Sequence, residues 1–162
     1  MRNERNSILK IVKTLNDEEC NGGLWLPNIQ RPFVWAEEQI ERLFDSIMRE
    51  YPISTLLVWR TKADIKHRRF VDHWRYNLKV SDAYVMQNTR AKDMVLDGQQ
   101  RLQSLFIGLR GSYDGRELHF DVLSGEARLP EDIRYRFRFM TAASAPWPWV
   151  RFKDLVSELS RG

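Results

Sequence analysis

The sequence predicts a domain of mixed α/β (α+β) class, and three stretches carry that prediction. The first is Met94-Val95-Leu96, a short apolar run flanked by charge. It breaks at Asp97-Gly98 and is followed by Leu102, Leu105, Phe106 and Leu109 at i, i+3, i+4 and i+7. This spacing puts a strand-to-helix turn at residues 97–98. In the second stretch, Ile40, Leu43, Phe44 and Ile47 form one helical stripe, with Glu37, Glu38, Glu41 and Arg42 on other faces. The third alternates strictly, with Arg134, Arg136 and Arg138 set against Tyr135, Phe137 and Phe139. Such alternation is the mark of a half-buried strand. With 162 residues, 43% of them hydrophobic and 12% aromatic, residues 1–162 read as a single folded domain with a sizeable core.

Taken in order, Ser7 or Asn6 can cap a first helix whose apolar face is Ile8, Ile11, Val12 and Leu15. Asn21-Gly22-Gly23 ends it as a loop, and Leu24-Trp25-Leu26 is a short strand stopped by Pro27. Pro32 keeps the preceding Arg31 extended, so Gln30 and Arg31 fall on a loop. Two uses of Arg31 are open there, ligand contact or a cation–π contact with nearby Trp35. In the helix from residue 37, acids cluster in the first turn, as the helix dipole prefers. Asp45 lies off the middle of its apolar stripe and reads as a solvated residue or a second carboxylate near a site. Tyr51-Pro52-Ile53 ends the helix, and Thr55 to Trp59 reads as a buried strand.

Residues 60–92 are less patterned. Lys66-His67-Arg68-Arg69 and the aromatics Trp74, Tyr76 and Tyr84 suit a solvated loop, or backbone and base contacts to nucleic acid. Further on, residues 111–115 form a turn, 117–123 a strand, and Ser124-Gly125 a second turn. The arginines at 134, 136 and 138 could face a phosphate backbone, or guard an exposed sheet face or edge strand. Pro146, Trp147, Pro148 and Trp149 break the chain before a last short helix over 151–160.

The net charge of +4 and pI near 9.4 permit contact with nucleic acid or nucleotide without demanding it. One cysteine, Cys20, cannot form an internal disulfide, which fits a reducing cytoplasm. Residues 1–20 lack the unbroken apolar core of a signal peptide, and no run approaches membrane-spanning length. The expected setting is therefore cytoplasmic, with no membrane partner. His67 and His73 fall into no metal-binding spacing.

The turn at Asp97-Gly98-Gln99-Gln100-Arg101 offers the richest chemistry. Unpaired N–H groups at a helix N-terminus and the positive dipole end can hold an anion. Gly98 lacks the Cβ that would keep a phosphate away, and Arg101 could add a bidentate contact. The same residues also serve as an ordinary capped helix start, with Asp97 the N-cap. There is no G-x-x-x-x-G-K-[ST] loop, which excludes the P-loop mechanism.

A wider pattern bears on this choice. Pro27-x-x-Gln30-Arg31-x-x-Val34-Trp35 is followed by an acidic amphipathic helix, Tyr51-Pro52-Ile53, an apolar strand and Asp97-Gly98-Gln99-Gln100-Arg101-Leu102. In this order the chain closely resembles the N-terminal domain of the GmrSD-type restriction proteins, which is related to the ParB/sulfiredoxin-like fold. The resemblance runs from about Leu24 to Leu109 and more weakly to the end. Family members usually carry a glycine after Tyr-Pro-Ile, where this chain has Ser54.

The resemblance implies a domain that binds a nucleoside triphosphate with Mg2+, and in several members hydrolyses it, in defence against foreign, often modified, DNA. Carried over residue by residue, Asp97, Gln100 and Arg101 would be the catalytic set, and Gln30, Arg31, Gly98 and Gln99 would bind the nucleotide. Asp97 would hold the metal, while Arg134, Arg136 and Arg138 are the residues offered to DNA. No nuclease motif is found in these residues, so a nuclease domain or subunit is expected as a partner. The competing reading is a non-catalytic module that binds DNA or senses a nucleotide, and a weaker third is a kinase-like transfer domain.

Overall fold

The computed structural model describes residues 6–17, 23–85, 91–126, 132–141, 143 and 145–159. Cys20, the Asn21-Gly22 part of the first loop and the end of the last helix lie outside them. The order of elements is α1 (Ile8–Thr14), β1 (Leu24–Pro27), α2 (Glu37–Met48), β2 (Leu57–Thr61), β3 (His67–Arg68), β4 (His73–Trp74), a 3-10 turn (Val80–Ala83), β5 (Lys92–Asp97), α3 (Gln99–Arg110), β6 (Ser112–Tyr113), β7 (Glu117–Asp121), β8 (Phe137–Met140), β9 (Trp149–Arg151) and α4 (Phe152–Leu159). Helices combine with parallel and antiparallel strands, so the mixed α+β class is observed. No helix among the described residues is long and apolar enough to cross a membrane.

The chain forms two compact units, one from residues 1–33, 55–71 and 79–106, the other from 34–54, 72–78 and 107–162. The first unit is built on a four-stranded sheet ordered β2-β5-β1-β3. β5 runs parallel to β1 and antiparallel to β2, and Trp25, Leu26, Met94 and Val95 are buried on these strands. α1 starts as expected, with Ser7 Oγ accepting from Lys10 N–H at 3.3 Å. Asn16 ties the end of that region to Phe70 twice, donating to its carbonyl and accepting from its N–H, each at 2.8 Å.

Two expectations are corrected in this unit. Residues 55–59 are not a buried strand: β2 begins at Leu57 and is an edge, with Leu57, Val58 and Trp59 between 38% and 44% exposed. An apolar run suggests burial on both faces, but composition does not record whether a strand has one neighbour or two. The basic cluster is not a solvated loop either. His67 and Arg68 form β3, both are buried, and the His67 ring packs edge-on to Trp25 at 5.2 Å.

The second unit carries the three-stranded antiparallel sheet β8-β7-β9. Phe44 of α2, Phe120, Phe137 and Phe152 meet with ring centroids 5.0–6.2 Å apart, the favoured range for aromatic pairs. Gly108 sits against this cluster, since an added Cβ would lie 2.5 Å from Phe44 Cε2. β8 is an edge strand, as the arginine alternation allowed, but it starts at Phe137, so Arg138 lies on it while Arg134 and Arg136 precede it. α2 carboxylates meet N–H groups of β8 and of the segment leading into it: Glu41 accepts from Phe139 of β8 at 3.0 Å, and Asp45 accepts from Tyr135 at 2.7 Å and Arg134 at 3.2 Å, both ahead of the strand. Asp45 is thus 5% exposed and structural, a correction to its reading as solvated. β9 was also missed, because Trp149 follows two prolines that read as a break.

Ser54 has φ +73°, in the left-handed region where a Cβ is strained. That explains why glycine suits this position. Ser54→Gly is expected to raise stability by about 0.5–1 kcal/mol, less than the full strain because glycine also loosens the unfolded chain. Urea denaturation checks it, and an unchanged or lower midpoint would show that the serine is not strained.

Burial raises the Glu37 carboxyl from 4.5 to about 7, against the pull of Arg116, whose Nη2 lies 2.8 Å from Oε1. A folded-state value above that of the unfolded chain stabilises fully at low pH, and that stability is lost as pH rises from about 4.5 through about 7. Glu37→Gln should therefore flatten the melting temperature between pH 5 and pH 8 and raise it at pH 8. Identical pH profiles for the two proteins would refute this.

Candidate functional site

The strand-to-helix turn expected at residues 97–98 is present in the first unit: β5 ends at Asp97 and α3 starts at Gln99. Just before it the β2–β5 register shifts, with Asp97 opposite Leu57 but Val95 opposite Val58. Leu96 is the extra residue of this bulge, and bulges re-aim side chains near sites. Its carbonyl, set apart from the regular ladder, accepts a hydrogen bond from Gln30 Nε2 at 2.9 Å.

Two further contacts join the two motifs. Gln99 Nε2 donates to the Arg31 carbonyl at 3.2 Å, and Gln100 Nε2 to the Pro32 carbonyl at 3.0 Å. From the other side, Arg68 Nη2 donates to the carbonyls of Gln30 and Arg31, both at 2.9 Å. Residues 30–32, the first of them 66 positions upstream of Leu96 in the chain, are thus clasped against the start of α3 by side-chain amides and a guanidinium. Gln99, Gln100 and Arg68 are all buried, while Arg31 is exposed.

The groups at the turn differ in availability. The Asp97 side chain is 71% exposed, whereas that of Arg101 is 16% exposed. Arg101 Nη2 donates to the Thr55 carbonyl at 2.9 Å and lies 3.6 Å from Asp97 Oδ2. Gly98 has φ +90°, and an added Cβ would stand 2.3 Å from Leu56 Cδ2 and 3.2 Å from Arg101 Nη2. The space beside Gly98, expected to be left for a phosphate, is filled by Leu56 and Arg101.

Of the expected site residues, Gln30, Arg31, Asp97, Gly98, Gln99, Gln100 and Arg101 all gather in this unit. Arg134, Arg136 and Arg138 belong to the other. All three are exposed, but Arg134 Nε donates to the Gly125 carbonyl at 2.8 Å, and Arg136 pairs with the buried Asp121. Sequence reasoning missed Arg68, because a basic residue in a run of four reads as surface, and missed Leu56, an unremarkable apolar residue ahead of a strand. Among the described residues no group of three or more His, Cys, Asp or Glu side chains could hold a metal ion.

Comparison with known proteins gives two matches. The family described as "GmrSD restriction endonuclease, N-terminal domain" matches residues 11–148. A curated relative, "Uncharacterized protein MJ0686" of Methanocaldococcus jannaschii, is 28% identical over 109 residues. The match covers 67% of this chain and 18% of that protein, so the chain spans less than a fifth of the relative's length.

Gly98→Ala should destabilise by roughly 2–3 kcal/mol, from the positive φ together with overpacking against Leu56. Combining it with Leu56→Ala should restore the packing part and leave the backbone part, so the two changes will not add. Urea midpoints of the three variants test this. A stable Gly98→Ala protein would show that the turn does not require glycine.

Proposed function

The chain belongs to the GmrSD restriction endonuclease N-terminal domain family, and from that premise we propose that it binds a nucleoside triphosphate with magnesium where residues 30–31 meet residues 97–101, and hydrolyses it in restriction of foreign DNA. The supporting observation is the double hold on the Arg31 carbonyl by Gln99 and Arg68. It holds the main chain of Arg31, whose side chain is exposed, against Gln99 at the start of α3, the positive end of the helix dipole. The same turn carries an exposed carboxylate, Asp97.

That donor set fits magnesium, which is commonly held by one or two carboxylates and completes its shell with phosphate oxygens and water. Asp97 would hold it, and a bound magnesium would offset charge on the phosphate oxygens. Arg31 binds the polyphosphate directly. Arg101 braces the segment at Thr55, while Gln30, Gln99 and Gln100 act as positioning residues because their amide donors are committed to the backbone. Phosphoryl transfer requires chiefly positioning and charge stabilisation, so a short inventory of this kind is adequate. DNA is the second partner in this reading, contacted through Arg134, Arg136 and Arg138, and cleavage falls to a nuclease domain or subunit.

One observation favours a second reading, binding without turnover: Leu56 and Arg101 occupy the space beside Gly98 and so restrict how closely a phosphate can approach the backbone. Phosphate release from triphosphates with magnesium separates the two. Arg31→Ala and Asp97→Ala are each expected to lower release at least ten-fold. Loss of magnesium dependence should accompany Asp97→Ala. Tight binding without release would leave the sensor, and equal release from all three proteins would remove this site altogether.

A further inference from the structure

Arg68 is a buried cation. It is 6% exposed, and among the described residues no carboxylate pairs with it. Its Nε is buried with no hydrogen-bond partner, and burial lowers the pKa of its guanidinium. A buried charge held only by neutral groups costs stability, and an apolar residue in the same place would cost less. What Arg68 holds is specific: one nitrogen, Nη2, takes the carbonyls of two successive residues, Gln30 and Arg31.

The consequence follows from peptide geometry. In a planar trans peptide the C=O and N–H point in opposite directions. With the Gln30 carbonyl turned onto Arg68, the N–H of Arg31 is directed away from it. Pro32 has no N–H, so the peptide after Arg31 presents no competing donor. The Pro27–Gln30 turn, closed by Gln30 N–H on the Pro27 carbonyl at 3.1 Å, fixes the approach to this point.

We infer that Arg68 is a positioning residue of the anion site: by holding the Gln30 and Arg31 carbonyls from beneath, it sets the Arg31 N–H and guanidinium outward as a preformed donor pair for a polyphosphate. Its own charge adds positive potential from a position the ligand does not touch. A bound polyanion would in turn supply a counter-charge. This deepens the nucleotide reading above and rests on it.

The test compares the intact chain with Arg68→Lys and Arg68→Met. Lysine keeps the charge but has a shorter reach and no planar fork, and methionine fills space without either property. Two quantities are read well below each protein's melting temperature: peptide-level hydrogen exchange over residues 28–32, and the Kd for a fluorescent nucleoside triphosphate and for its nucleoside. The expected result is faster exchange over 28–32 in both variants. Triphosphate binding should weaken at least ten-fold in Arg68→Met and less in Arg68→Lys, with nucleoside binding changed little. A purely structural role would lower melting temperature without separating triphosphate from nucleoside, and that result overturns the proposal. Unchanged exchange over 28–32 overturns it as well. If the unaltered chain holds no triphosphate, the nucleotide reading fails by itself, and the exchange data alone then uphold or remove Arg68 as the holder of this loop.

Discussion

The first unit depends on side-chain donors meeting main-chain carbonyls that no regular ladder satisfies. Leu96, Gln30, Arg31 and Pro32 present such carbonyls, and Gln30, Gln99, Gln100 and Arg68 answer them. A carbonyl left unpaired away from water costs on the order of 1–3 kcal/mol, and these part-buried bonds avoid a share of that cost. An amide is the right group for this work because it donates without carrying charge into a buried position. The consecutive glutamines at 99 and 100 therefore reach adjacent carbonyls, Arg31 and Pro32, and hold an extended segment that has no strand partner of its own.

How much of this was legible follows from where each signal resides. Period-3.6 and period-2 patterns report which face is apolar, so α1, α2, α3 and β7 stood out, and the turn at Asp97-Gly98 was placed correctly. Those patterns say nothing about neighbours along a sheet, which is why β2 read as buried although it is an edge. Asp45 illustrates the opposite error. A carboxylate beside a helix stripe is ordinarily solvated, yet here it binds two N–H groups from residues about 90 positions away. Gly98 was recognised as important for lacking a Cβ, but what fills that space, Leu56, comes from a segment 42 residues earlier and leaves no local trace.

In the second unit, α2 does for β8 what a further strand would do. Glu41 and Asp45 are one helical turn apart, and they meet the N–H of Phe139 in β8 and that of Tyr135 just ahead of it. Carboxylates on a helix thus close an open sheet edge, one of the ways proteins avoid edge-to-edge association. The arrangement also accounts for the acidic face of α2 without any ligand. Burial raises the Glu41 carboxyl, the N–H of Phe139 and the nearby Arg138 lower it, and this balance is typical of a structural acid that is hydrogen-bonded rather than free.

The contrast between Asp97 and Arg101 sharpens what the turn can do. Their pairing, at 3.6 Å with one partner 71% exposed, contributes little to stability, because solvent screens it and the distance exceeds a hydrogen bond. Arg101 is retained by the Thr55 carbonyl at 2.9 Å. The carboxylate of Asp97 can therefore exchange its cationic neighbour for another cation at small cost to the fold, whereas moving Arg101 would strip a hydrogen bond from the main chain. An adaptable acid and a committed base sit one helical turn apart. Of the two, the acid is the group suited to recruiting something from solution, and the base is the group that holds its surroundings in place.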